Sequence, residues 1–136
     1  MPASPKRPSK SKAKPIVKRS VKASSPAKKP FLRFYHAPSL RADTLAVLAA
    51  LEKAEDGTKH RAALADIVVE LTNSGMDYYF LRPLKLANVG FFAQQSANLG
   101  MAGTTRVLGS VIRNMIGGMD EAQLLSICGY IRQLMK

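Results

Sequence analysis

Apolar residues recur along residues 39–136 with the spacing of helix faces. Leu40, Val47, Leu48 and Leu51 fall at i, i+7, i+8 and i+11, which predicts a helix from Ser39 to about Ala54, stopped by Glu55-Asp56-Gly57. A second helix is expected from about Thr58, with Leu64, Ile67, Val68 and Leu71 facing inward and Lys59, Asp66, Glu70 and Asn73 facing outward. Asn73-Ser74-Gly75 supplies its stop signal, so the pair reads as an antiparallel hairpin. Met76 to Leu81 reads as a short helix, with a break near Arg82-Pro83 because proline lacks the amide donor, and a new helical start after it.

The stretch from Leu86 to Thr105 carries no charge. Asn88, Gln94, Gln95, Ser96 and Asn98 make it too polar for a membrane span, so it is expected to be a buried or interfacial helix. Within it Ala93, Ala97, Gly100 and Thr104 recur at i, i+4, i+7 and i+11, forming a groove of small side chains that a second helix can approach. Two occupants stay open at this point, the chain's own hairpin or a second copy in a homo-oligomer, with a ligand channel as a third. Val107, Leu108, Val111 and Met115 extend the apolar pattern to Gly117-Gly118, while Arg106 and Arg113 share an outer face where phosphate contact competes with plain solvation. Asp120 with Gln123 has the form of a capping box, and Leu124, Ile127, Cys128, Ile131 and Leu134 make the inner face of a last helix. The expected fold class is all-α: one small domain of about five helices and no strands over residues 31–136.

Residues 1–30 have a different composition. They hold ten of the 21 basic residues and none of the nine acidic ones, so +10 of the net charge of +12 lies there. Such a segment buries too little apolar surface to offset about 1–2 kcal/mol of backbone entropy per ordered residue, and the expectation is a disordered basic arm. Pro2, Pro5, Pro8, Pro15, Pro26 and Pro30 bias it towards extended stretches, which suit a long polyanion better than a pocket. The candidate nucleic-acid-binding residues are Lys6, Arg7, Lys10, Lys12, Lys14, Lys18, Arg19, Lys22, Lys28 and Lys29. A solubilising tail, or attraction to another acidic surface, is the competing reading.

Ser4-Pro5-Lys6-Arg7, and more loosely Ser25-Pro26-Ala27-Lys28-Lys29, give the arm a pattern of serine, proline and paired basic residues. This resembles the tails of linker histones and of bacterial histone-like proteins rich in lysine, alanine and proline. The resemblance covers the first thirty residues and implies contact with the DNA phosphate backbone and minor groove. Phe31-Leu32-Arg33-Phe34-Tyr35-His36 follows at once. Packing is the simplest role for these aromatics, and stacking on bases is the alternative.

Catalytic chemistry has little support. His36, His60 and Cys128 are the only histidines and cysteine, too few for a zinc site or an internal disulfide. Gly100-Met101-Ala102-Gly103 lacks the elements of a phosphate loop, and Glu55-Asp56 and Asp120-Glu121 sit at helix junctions. No enzyme, cofactor or metal is expected. The absence of an apolar signal segment and the lone cysteine suggest the cytoplasm. The reading is a non-enzymatic, nucleoid-associated DNA-binding protein of low sequence specificity, with a self-associating helical body. The alternative is a helical protein-interaction module, or a protein of an anionic membrane or granule surface, whose arm adds solubility and charge attraction.

Overall fold

In the computed structural model, residues 29–136 are described, and every regular element among them is helical. The chain divides between Arg33 and Phe34, and Phe34–Lys136 holds all the described helices. These are α1 (Pro38–Lys53), α2 (Arg61–Met76), α3 (Arg82–Leu86), α4 (Phe91–Gly117) and α5 (Glu121–Leu134). A 3-10 turn over Gly57–His60 leads into α2, and a π-helical turn over Asp77–Leu81 joins α2 to α3 without a gap.

Local chemistry accounts for most of the ends. Pro38 occupies the first turn of α1, where its missing donor would be unpaired in any case. The Asp56 carboxylate accepts from the Thr58 amide at 3.0 Å and from its hydroxyl at 2.5 Å, starting the 3-10 turn. These bonds hold the Asp56 carboxyl below its ordinary range. The capping box of α5 is reciprocal: the Gln123 amide donates to Asp120 at 2.8 Å, and the Asp120 amide donates to the Gln123 side chain at 2.9 Å. Asn88, at φ 55°, ends α3, with its amide bonded to Lys85 and that of Val89 to Leu84. This is a Schellman closure with asparagine in glycine's usual place.

Two expected interruptions do not occur. Gly75 does not stop α2, because it keeps a right-handed conformation and serves instead as a clearing for the Phe34 ring, whose atoms lie 3.7 Å from where a Cβ would stand. Pro83 does not break the helix either. The preceding π turn sends the Arg82 amide to the Asp77 carbonyl, five residues back, and so absorbs the irregularity that a regular helix could not.

The core draws Leu48 and Leu51 from α1, Leu64, Ala65 and Ile67 from α2, Ile116 from α4, and Leu124, Cys128 and Ile131 from α5. Thr44 is fully buried among them, its hydroxyl satisfied by the Leu40 carbonyl at 2.7 Å. α4 runs antiparallel to α2, since Arg113 pairs with Asp66 while Gly109 lies against Val69. The inner face of α4 differs from the expected one. Ile112 and Ile116 pack inward, whereas Val107, Val111 and Met115 are 64%, 47% and 59% exposed. Helix α4 carries two apolar stripes, and among the described residues only one of them has a partner. Leu134, expected inside, is likewise exposed in the last turn of α5.

Candidate nucleic-acid interface

Of the ten candidate cations, Lys6, Arg7, Lys10, Lys12, Lys14, Lys18, Arg19, Lys22 and Lys28 lie outside the described residues, and Lys29 is exposed. Where the arm meets the helical region, the Arg33 guanidinium lies 4.5 Å over the Phe31 ring.

Most arginines of the helical region are already engaged. Arg132 grips the Glu52 carboxylate from two nitrogens, at 2.9 and 2.5 Å, joining α5 to α1. That grip holds the Glu52 carboxyl below its ordinary range and raises the arginine correspondingly. Arg61 donates twice to the Met119 carbonyl, at 2.8 and 2.5 Å, pinning the start of α2 to the α4–α5 junction. Arg41 donates to the Met135 carbonyl at 2.6 Å. Arg113 pairs with Asp66, and Arg82 with Asp77. Arg106 makes no ion pair among the described residues; it borders an open cleft of about 520 Å³ between α2 and α4, beside Asn73, Ser110 and Arg113.

An aromatic cluster stands at the start of the helical region. The half-buried ring of Phe34 lies 5.8 Å from His36, 6.1 Å from Tyr78 and 5.9 Å from Tyr79, centroid to centroid. Tyr35 approaches Tyr78 at 6.3 Å, Tyr78 meets Tyr79 edge-on at 5.5 Å, and the Arg82 guanidinium sits 5.1 Å above Tyr78. The π turn carries Asp77, Tyr78 and Tyr79, and α3 follows with Arg82. This grouping was not legible in the sequence, because Phe34 and Tyr78 are far apart along the chain and nothing in their local spacing relates them.

The small-residue groove faces away from α2. Ala93, Gly100 and Thr104 are exposed, Ala97 is half-buried, and a Cβ added at Gly100 or Gly103 would meet nothing within 4 Å. The close helix approach falls instead at buried Gly109, 3.7 Å from Val69. Of the two settings expected for it, buried or interfacial, the uncharged first half of α4 is therefore not buried among the described residues, and Leu86, Phe91, Phe92 and Leu99 are 72–86% exposed around it. No described helix is long and apolar enough to cross a membrane.

Cys128 is fully buried, and desolvation pushes its thiol up, the reverse of what a nucleophile needs. His36 places Nδ1 3.1 Å from the Ala37 carbonyl, while His60 closes the 3-10 turn before α2. Among the described residues no group of His, Cys, Asp and Glu could hold a metal ion. Compared with protein-family models, curated proteins and solved structures, the chain matches none.

Proposed function

We propose that the protein is a non-enzymatic nucleic-acid-binding protein of nucleoid type. Its first thirty residues serve as a disordered cationic arm that contacts phosphates, and its helical region sets valency by self-association. The observation that carries this reading is the division of charge: ten cations without a carboxylate on the arm, against a helical region whose Arg41, Arg61, Arg82, Arg113 and Arg132 are held by carbonyls and carboxylates of their own chain. Phosphate binding requires cations free to displace counterions, and the arm is where they are concentrated. Self-association through the face of Ala93, Ala97, Gly100 and Thr104 would present several arms together and raise avidity without any new contact.

The test compares the full chain with residues 31–136 on duplex DNA across a salt series. With half of the arm's cations on phosphates, log K of the full chain falls with log salt at a slope of roughly −4 to −5. The shortened chain loses most of its affinity and keeps its helical circular dichroism. Undiminished binding by residues 31–136 would sink the proposal. The exposed Leu86, Phe91, Phe92 and Leu99 favour a second reading, a module that docks a protein or an apolar surface while the arm only adds charge. That reading gains if the full chain fails to bind DNA at low salt.

A further inference from the structure

Aromatic side chains that serve only to anchor a chain segment bury their rings. In the cluster at the start of the helical region, Phe34 meets that description, filling the clearing above Gly75. Tyr35 does not, at 77% exposed, and Tyr79 keeps about a third of its surface in solvent. These rings are nonetheless held in place. Tyr35 leans on Tyr78, Tyr79 is edge-on to both Tyr78 and Phe34, and Tyr78 is covered by Arg82, whose Nε lies 3.7 Å from the Asp77 carboxylate. The π turn that brings Tyr78 and Tyr79 to Phe34 is a costly local geometry, of a kind often kept where a side-chain array is used.

Exposed aromatic faces invite three kinds of ligand: a cation, a proline-rich peptide or a nucleobase. A quaternary or methylated ammonium group is disfavoured, because the Arg82 guanidinium already occupies the face of Tyr78 and would repel a second cation. A base has a π face of its own, and its phosphate is attracted by the same guanidinium. Phe34 lies four residues beyond the end of the arm in sequence, so a strand tracked by the arm's cations reaches these rings without a separate docking event. Bases within a duplex have no free face to offer.

We infer that Tyr35 and Tyr79, backed by Phe34, Tyr78 and Arg82, form a stacking platform for unpaired nucleobases, which makes single-stranded nucleic acid the preferred ligand class. This deepens the proposed function and rests on it. The arm supplies the phosphate attraction common to single and double strands, and the platform supplies the discrimination between them.

The chain has no tryptophan and four tyrosines, three of which stand in the cluster, so intrinsic emission reports directly on the platform. The experiment titrates the full chain with a twenty-nucleotide thymidine oligomer and with a mixed-sequence duplex of equal phosphate content, at one salt concentration. The oligomer is expected to bind more tightly and to quench tyrosine emission, whereas the duplex binds with emission unchanged. Tyr35→Ala and Tyr79→Ala each weaken single-strand binding about five- to a hundredfold and change duplex binding less than twofold, while Tyr35→Phe and Tyr79→Phe, which keep the ring, stay near the parent. Circular dichroism of the exposed-site variant Tyr35→Ala serves as the folding control. Equal affinity for both ligands without quenching overturns the platform but leaves the arm's role standing. Absence of binding to either ligand overturns the proposed function along with it. Quenching by a proline-rich peptide and not by the oligomer reassigns the platform to a peptide, and so also overturns the inference.

Discussion

The two halves of α4 share one helix and one kind of residue, yet their surroundings differ. From Thr105 to Ile116 the helix lies along α2, with Gly109 against Val69, Arg113 tied to Asp66 and Ile116 in the core. From Phe91 to Thr104 it has no charged partner among the described residues, Gly100 and Gly103 face open space there, and Phe91, Phe92 and Leu99 are exposed. The difference shows that apolar content alone does not define a core. A side chain stabilises the fold by the water it loses, and the same leucine contributes about 1.5–3 kcal/mol when enclosed and close to nothing when it stays wet. By that measure the exposed side chains in the first half of α4 add little to the fold among the described residues.

The comparison is broken most severely by truncating equivalent side chains in the two regions. Leu124→Ala, at a fully buried position, is expected to lower the free energy of unfolding by about 2–5 kcal/mol. Leu99→Ala, at a 75% exposed position, should change it by less than about 0.5 kcal/mol. Urea denaturation followed by circular dichroism checks both, and similar losses at the two sites would mean that the exposed half is covered in solution.

A smaller contrast separates the glycines. At Gly109 an alanine fits at ordinary contact distance from Val69, but Gly109→Leu overfills the α2–α4 interface and should cost about 1–3 kcal/mol. Gly100→Leu meets nothing within 4 Å among the described residues and, by replacing a mid-helix glycine with a good helix former, should raise the stability of the isolated fold by about 0.5–1 kcal/mol. Through the proposed self-association it should also shift the mass measured by light scattering towards monomer. A wild type that is already monomeric at high micromolar concentration would remove that role from the small-residue face.

The smallest expected effect is electrostatic. Arg132 donates to Glu52 and depresses the glutamate's folded-state pKa below the ordinary value of 4.5, so the unfolded chain takes up the proton first as acid is added. The contribution is therefore fully present above pH 5 and is lost as pH falls through 4.5 to the depressed value. Because both side chains are a third or more exposed, solvent screens the pair and its contribution is small. Glu52→Gln should melt slightly earlier than the parent at pH 7, and the gap should narrow as pH falls below 4.5. A gap that does not narrow with acid would show that the loss comes from packing rather than charge.

Several features were legible from residue chemistry acting within a few positions along the chain. The inner faces of α1 and α2, the Asp120–Gln123 capping box and the apolar face of α5 through Ile131 all follow from helical spacing and local hydrogen bonding. The concentration of cations in the first thirty residues is likewise a property of sequence alone. Other features depend on which distant surfaces meet. Gly75 carries the same stop signal whether or not Phe34 arrives to fill its clearing, and Pro83 bars a regular helix unless a π turn precedes it. The two apolar stripes of α4 are equally good candidates in one dimension, and only the approach of α2 to Gly109 selects between them. The aromatic cluster is the extreme case: its members are supplied by local sequence, but their meeting depends on long-range packing, since a ring's neighbours across a fold are set by contacts that no helical period encodes.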